Sequence, residues 1–106
     1  MTIKIINIQK TEPKEKSDFY IDRRSPLGNP FYMKNETLRN YVCDKYEKWF
    51  NENIKKQTNI KFNESLKELI DVYTEYGKLR LFCWCSPKRC HGETIKKYIE
   101  NLNKLF

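Results

Sequence analysis

The sequence predicts a small single-domain α/β protein, with a short, mainly parallel sheet flanked by three helices in a Rossmann-like arrangement. A β-branched run at residues 3–8 and an apolar run at residues 79–83 both predict strands. Two amphipathic segments lie between these runs and a third follows them. Because a long helical crossover is typical of parallel strands, we expect the first and last strands to pair in parallel. At 106 residues, the chain predicts one domain spanning residues 1–106.

The first 31 residues predict two strands and two loops. Residues 3–8 form the first strand, and residues 10–18 form a charged loop that contains Pro13. Residues 19–21 predict a short second strand. The following loop, residues 22–31, carries Arg23 and Arg24. In its turn sequence Gly28-Asn29-Pro30, glycine is expected to supply a positive φ.

Apolar residues at helical spacing predict the three helices. The first runs from Asn35 to about Lys56 and begins at an Asn35 or Thr37 cap. The second begins at an Asn63 cap, after a linker at residues 57–62, and stops at Gly77. The third runs from Gly92 or Glu93 to the end. The predicted stripes are Leu38, Tyr41, Val42, Trp49 and Phe50 in the first helix, Leu66, Leu69, Ile70, Tyr73 and Tyr76 in the second, and Ile95, Tyr98, Ile99, Leu102 and Leu105 in the third.

The charge balance favours partners that are rich in phosphate. The net charge is +7 and the pI is about 9.2. A lysine- and asparagine-rich composition alone would explain the same balance. Because no run of five basic residues occurs, an extended DNA-binding tail is not supported, and non-specific nucleic-acid binding is the less favoured partner class.

The start of the chain has no signal-peptide pattern, and no apolar stretch approaches membrane-spanning length. We therefore expect a cytoplasmic protein with reduced thiols and no membrane partner. No cofactor is expected. A homo-oligomer that completes its site across a dimer remains open.

Residues 79–93 hold three of the four cysteines and the only histidine. Strand alternation places the side chains of Cys83 and Cys85 on one side and that of Trp84 on the other. The chain then turns at Ser86-Pro87 and returns with Cys90-His91. Open α/β sheets bind ligands at the carboxyl ends of their strands, so the sequence predicts a site here.

Two chemistries of this cluster use its sulfur atoms. Cys83, Cys85, Cys90 and His91 form a formal zinc set, but the spacing of one and then four residues between the cysteines argues against it. We therefore expect no metal site. Nucleophilic or redox catalysis would use Cys90 or Cys83, with His91 as the base.

A third chemistry is anion binding. Lys88, Arg89 and unpaired backbone N–H groups at the start of the last helix would face the ligand, and Gly92 would allow its close approach. Arg23 or Arg24 would close the other side, and Trp84, Tyr20 or Phe31 would stack on a base. The alternative is that Cys83 and Cys85 only pack, while His91 bonds to the backbone. The expected ligand-binding residues are Arg23, Arg24, Gly28, Asn29, Phe31, Trp84, Lys88, Arg89, His91 and Gly92.

Two segments carry a family resemblance: YIDRRSPLGNPF at residues 20–31 and LFCWCSPKRCHGE at residues 81–93. They resemble the domain-of-unknown-function family numbered 4326, a family of small proteins of bacteria and bacteriophages with a GNPF element and a CWC-x-P-x-x-CHG-[DE] element. The chain departs at Asp22, where that family often has glycine. The motif positions that the resemblance implies are Arg23, Gly28, Asn29, Pro30, Cys83, Cys85, Cys90, His91 and Gly92.

The leading functional hypothesis is binding of a small phosphorylated, nucleotide-like ligand between residues 23–31 and 83–93. The distribution of the family implies a phage-encoded protein that sequesters a host nucleotide signal in the host cytoplasm. The alternative is a Cys/His-dependent enzyme that acts on a nucleotide, nucleoside or nucleic-acid base, with Cys90, His91 and Cys83 as its working groups. A partner-binding protein whose motif only stabilises the fold is also open.

Overall fold

The structure, a computed structural model, describes residues 1–104. Its elements confirm the predicted α/β fold with three helices and a parallel sheet. In chain order they are β1 (Thr2–Asn7), β2 (Asp18–Tyr20), a 3-10 helix (Glu36–Leu38), α1 (Arg39–Lys56), α2 (Ile60–Tyr76), β3 (Lys78–Cys83) and α3 (Gly92–Lys104). The predicted stripe residue Leu105 lies outside the described residues. None of the helices within residues 1–104 is long and apolar enough to cross a membrane.

The strand β3 lies in the middle of the sheet, with β1 and β2 on either side. Both neighbours run parallel to it, with Ile5 of β1 and Phe19 of β2 opposite Leu81. The predicted parallel pairing of the first and last strands is therefore confirmed. Since all three strands point the same way, their carboxyl ends lie at one edge of the sheet.

Alternate residues of β3 face two different surroundings. Leu79, Leu81 and Cys83 belong to the main core, where they meet apolar side chains from all three helices. On the opposite face, the fully buried Phe82 packs edge-on against Tyr20, and the guanidinium of Arg80 lies 5.2 Å from its ring. The helices thus pack on one face. Because β1 and β2 are joined by a loop rather than a helix, the term Rossmann-like describes the fold only loosely.

The start of α2 differs from the prediction. The helix begins at Ile60, and the side chain of Asn59 caps it by accepting a hydrogen bond from Phe62 N at 3.2 Å. Asn63 lies inside the helix and donates to the Gln57 carbonyl. The predicted linker was wrong because Phe62 is a fully buried core residue of the first turn. Gly77 ends α2 in the left-handed conformation, as predicted.

The buried face of α1 also differs from the predicted stripe. Tyr41 is 59% exposed, whereas the unpredicted Tyr46 is fully buried. Tyr46 can occupy the core because its hydroxyl donates a 2.6 Å hydrogen bond to the Leu27 carbonyl. Tyr76 of the second stripe is likewise 45% exposed. Tyr46 fixes the loop after β2 to α1 and so shapes the site described next.

Candidate functional site

A cavity of about 450 Å³ lies at the carboxyl ends of β2 and β3. The loop of residues 22–33 and the loop of residues 84–91 form two of its walls. The third wall is α1, which contributes Arg39 and Val42 and which the sequence did not indicate. This volume is in the range of small-molecule sites. We call it the cavity below.

The cavity brings together most of the residues that the sequence selected as ligand-binding. Four of them come from the first loop: Arg23, Arg24, Asn29 and Phe31. Three come from the second: Trp84, Arg89 and His91. Gly28, Lys88 and Gly92 do not line it. Tyr32 and Met33 line it without having been predicted.

Asp22 organises the entrance of the cavity. Its carboxylate accepts two hydrogen bonds on one oxygen, from Arg24 Nη2 at 2.8 Å and from Trp84 Nε1 at 3.0 Å. The Arg24 guanidinium holds the pKa of Asp22 below its usual value. These contacts link the two loops and fix the indole of Trp84, which is 55% exposed. A glycine at position 22 could make none of these side-chain contacts.

Gly28 shapes the first loop without contacting the cavity. A Cβ atom there would lie 2.8 Å from Arg23 Cα and closer still to the Asp22 carbonyl oxygen. The expected positive φ at Gly28 was wrong, since Gly77 is the glycine of the described chain with a positive φ. Glycine is needed at position 28 because two backbone segments pass too close together for a side chain.

Arg23 differs from the other arginines in its partners. The guanidinium groups of Arg24, Arg39, Arg80 and Arg89 each pair with a carboxylate at 2.7–2.8 Å. Arg23 makes no ion pair within residues 1–104, and it lies 5.9 Å from the exposed ring of Tyr32. It is therefore the arginine of the cavity with its charge available for an anion.

The start of α3 does not offer the unpaired backbone N–H groups that the sequence predicted. Gly92 N donates to Cys90 Sγ at 3.4 Å, Glu93 N to the Cys90 carbonyl at 3.0 Å and Thr94 N to the His91 carbonyl at 3.1 Å. The Glu93 carboxylate accepts from Cys90 N at 3.1 Å. The chain thus caps its own helix, and an anion would have to displace these bonds.

Lys88 and Gly92 have other partners. Lys88 pairs with Glu36 at 3.2 Å. Gly92 packs under β2, since a Cβ atom there would lie 2.7 Å from Ile21 Cδ1. Both residues therefore act on the walls of the cavity from outside it.

His91 is buried, with 8% of its surface exposed. Its Nε2–H donates to the Ile21 carbonyl, so Nδ1 carries the lone pair and lies 3.5 Å from Cys90 Sγ. Burial lowers the pKa of His91 below its usual value. The imidazole is therefore neutral at pH 7, and Nδ1 is a base directed at the thiol of Cys90.

Three thiols converge at the floor of the cavity. The thiol of Cys90 lies in hydrogen-bonding contact with those of Cys83 and Cys85. These contacts raise the pKa of Cys90, which keeps its proton, and lower those of its two acceptors. Cys85 also contacts the guanidinium of Arg39, and together with Cys90 this lowers the pKa of Cys85 to about 6.

Access to solvent separates these thiols further. Cys83 and Cys90 are 1% and 3% exposed, whereas Cys85 is only half-buried and lines the cavity. The sequence selected Cys90 and Cys83 as candidate nucleophiles, while the structure favours Cys85. The signal that distinguishes Cys85 is its contact with Arg39, which is 46 positions earlier in the chain. No group of three or more His, Cys, Asp or Glu side chains in residues 1–104 is arranged to hold a metal ion.

Comparison with known proteins identifies one family. The family described as a domain of unknown function, DUF4326, matches residues 6–101. No curated protein and no solved structure matches the chain. Because the matched span covers most of the 106 residues, the chain belongs to the DUF4326 family.

Proposed function

We propose that this member of the DUF4326 family binds a small phosphorylated, nucleotide-like ligand in the cavity between residues 23–31 and 83–93. The observation that carries the proposal is the pairing of aromatic walls with Arg23, the arginine that has no carboxylate partner among the described residues. A nucleotide presents the matching pair of groups, a flat base and a charged phosphate.

The aromatic walls support the base end of this ligand. Phe31, Tyr32 and Trp84 line the cavity, and Trp84 and Tyr32 are 55% and 69% exposed. The hydrogen bond from Trp84 to Asp22 orders the indole before a ligand arrives. Stacking of a base on an aromatic side chain contributes about 1–3 kcal/mol. An exposed but ordered tryptophan is suited to this contact.

Arg23 supports the phosphate end. A planar guanidinium can donate two hydrogen bonds to one phosphate group. The other cavity arginines already satisfy Asp22, Glu36 and Asp44, so their charges are largely neutralised. Since α3 caps its own N-terminus, the phosphate would bind at the entrance beside Arg23 rather than at that helix.

Titration calorimetry with nucleoside monophosphates, nucleoside diphosphates and cyclic nucleotides tests the proposal. We expect Arg23→Gln to weaken binding about tenfold or more, because a charge-assisted hydrogen bond is lost. Lys61→Gln removes the same charge from the exposed surface of α2 and should leave the affinity unchanged. The proposal fails if no nucleotide binds, or if both variants weaken binding equally.

Native mass spectrometry of protein purified from its own host gives the ligand's identity, as a mass added to that of the denatured chain. Sequestration of a host nucleotide signal by a bacteriophage protein is the finer form of this proposal, and it rests on where the family occurs. A sequestering protein releases its ligand chemically unchanged.

An enzyme acting on a nucleotide, nucleoside or nucleic-acid base is the second candidate, and one observation favours it. The Cys85 thiol lines the same cavity, and its pKa of about 6 makes it a thiolate at pH 7. An enzyme would convert its bound ligand, and Cys85→Ser would stop turnover while binding persists. The residues selected from the sequence predict the same loss for Cys90→Ser and His91→Ala. Chromatography of the ligand recovered after incubation distinguishes the binder from the enzyme.

A further inference from the structure

The three clustered thiols are chemically unequal. All four cysteines of the chain are free, and Cys83, Cys85 and Cys90 meet at the cavity floor. Of these three, Cys85 is the half-buried one that lines the cavity beside Arg39. Cys90 lies behind it, almost fully buried, and contacts both the thiol of Cys85 and the imidazole of His91.

Arg39 is held in position by contacts other than the thiol. Its Nε and Nη2 atoms donate to the Glu36 carboxylate at 2.8 and 2.7 Å, and Nη1 donates to the Arg89 carbonyl at 2.9 Å. The Arg89 carbonyl immediately precedes Cys90 in the chain. The guanidinium is thus fixed against the loop that carries the thiols, with its charge beside Cys85.

We propose that Cys85 and Cys90 form a redox-active dithiol in which Cys85 reduces a small hydroperoxide and Cys90 then closes a disulfide with it. The site is independent of nucleotide binding, because both sulfur atoms and the base belong to this chain. The reaction consumes one hydroperoxide and two thiols, and it yields one disulfide, one water and one further water or alcohol.

In the first step, the Cys85 thiolate attacks the terminal peroxide oxygen. A sulfur–oxygen bond forms and the oxygen–oxygen bond breaks, so Cys85 becomes a sulfenic acid. The leaving hydroxide or alkoxide takes a proton from solvent. The peroxide gains two electrons and the sulfur atom loses two. The Arg39 guanidinium stabilises the thiolate before this step and lies beside the site of reaction.

In the second step, Cys90 attacks the Cys85 sulfur. His91 Nδ1, 3.5 Å from Cys90 Sγ, takes the thiol proton, since its lone pair is directed at that atom. The sulfur–sulfur bond forms, the sulfur–oxygen bond breaks, and the departing hydroxide leaves as water with the proton that His91 received. The disulfide places the two sulfur atoms about 2.05 Å apart.

Cys43 provides an internal control. It lies in α1, is 7% exposed, and its thiol contacts the Arg89 carbonyl at 3.9 Å. Burial raises the pKa of Cys43, so it is a thiol at pH 7. It should therefore take no part in the reaction.

Stepwise oxidation of the reduced full-length chain, without nucleotide, tests the proposal. With one equivalent of hydrogen peroxide at pH 7, intact mass should fall by about 2 Da, and peptide mapping should join Cys85 to Cys90. Cys90→Ser should stop at a Cys85 sulfenic acid, about 16 Da heavier and trapped by dimedone. Cys43→Ser should behave as the parent chain does.

A measurement on the unaltered chain keeps the proposal testable if a variant fails to fold. Brief alkylation with iodoacetamide at pH 6.5 should label Cys85 before the other three cysteines. Preferential labelling of Cys43 or Cys83 would overturn the proposal. A Cys83–Cys90 disulfide as the first product, or an unchanged rate of disulfide formation in Cys85→Ser, would overturn it as well. None of these outcomes depends on whether a nucleotide binds.

Discussion

Arg39 decides which cysteine of the cluster carries negative charge. Arg39→Gln should raise the pKa of Cys85, because the thiolate loses its neighbouring cation. The midpoint of the rate of Cys85 alkylation against pH should move upwards by about one unit. Measuring this rate from pH 5 to pH 9 with peptide-level detection gives the shift.

Arg24→Gln is the matched control for this charge. It removes the same charge from another wall of the cavity, where the guanidinium pairs with Asp22 rather than with the thiol. Its alkylation profile should stay close to that of the parent chain. Equal shifts in the two variants would mean that the general field of the cavity, and not the contact with Arg39, sets the Cys85 pKa.

At the scale of residues, the sequence predicted what local motifs encode. Trp84, His91 and the arginines of the first loop were found because two short motifs contain them, and seven of the ten predicted residues line one cavity. Which side chains are available to a ligand could not be predicted. Arg23 stands out only because four carboxylates elsewhere in the chain satisfy the other arginines.

The loop after β2 depends on one close backbone approach. Gly28→Ala should lower stability by about 1–3 kcal/mol, since its Cβ would meet the backbone of Asp22 and Arg23. Gly92→Ala is the matched comparison. There the Cβ meets the end of the Ile21 side chain, which can rotate, so the loss should be about 1 kcal/mol or less. Chemical denaturation of both variants measures the difference, and equal losses would contradict this explanation.

The connection from β1 to β2 is anchored by Asp18. Its fully buried carboxylate accepts hydrogen bonds from Arg80 Nε and Nη2 at 2.9 and 2.8 Å, and from the backbone of Lys14 and Glu15. These donors, Arg80 first, hold the pKa of Asp18 far below its usual value. Asp18→Asn should therefore lower the free energy of unfolding by about 2 kcal/mol at pH 7.

The same contact predicts a pH dependence. Because the pKa of Asp18 is lower in the folded than in the unfolded chain, its stabilisation is complete above about pH 5 and is lost as the pH falls through about 4. The stability gap between the parent chain and Asp18→Asn should narrow over that interval. Asp71→Asn, in an exposed pair with Lys67, should cost less than about 0.5 kcal/mol at any pH. A gap that is constant down to pH 2 would contradict the assignment.

At the scale of elements, hydrophobic spacing predicted every helix and strand but not every boundary. The start of α2 was misplaced because Asn59 and Asn63 are equally good caps in isolation, and only the burial of Phe62 in the core selects the first. Tyr41 and Tyr46 are also equivalent by spacing and residue type. Contact with the Leu27 carbonyl, from a distant loop, determines which tyrosine is buried.

The net charge of +7 acts on the molecule as a whole. Binding to single-stranded DNA through this charge should weaken steeply as salt rises from about 50 to about 200 mM. It should respond equally to Arg23→Gln and Lys61→Gln, since both remove one charge. Binding of a nucleotide in the cavity should depend much less on salt and respond only to Arg23→Gln. Fluorescence anisotropy across a salt series separates the two modes.

The cavity holds opposite charges at its two ends, with the Cys85 thiolate at the floor and the Arg23 guanidinium at the entrance. A phosphorylated ligand would therefore enter with its base first and keep its phosphate outermost. Oxidation to the Cys85–Cys90 disulfide removes the negative charge from the floor, so the oxidised protein should hold an anion more tightly. By thermodynamic linkage, a bound anion makes the thiolate harder to form and slows its oxidation. The two proposed chemistries of this cavity would thus regulate each other.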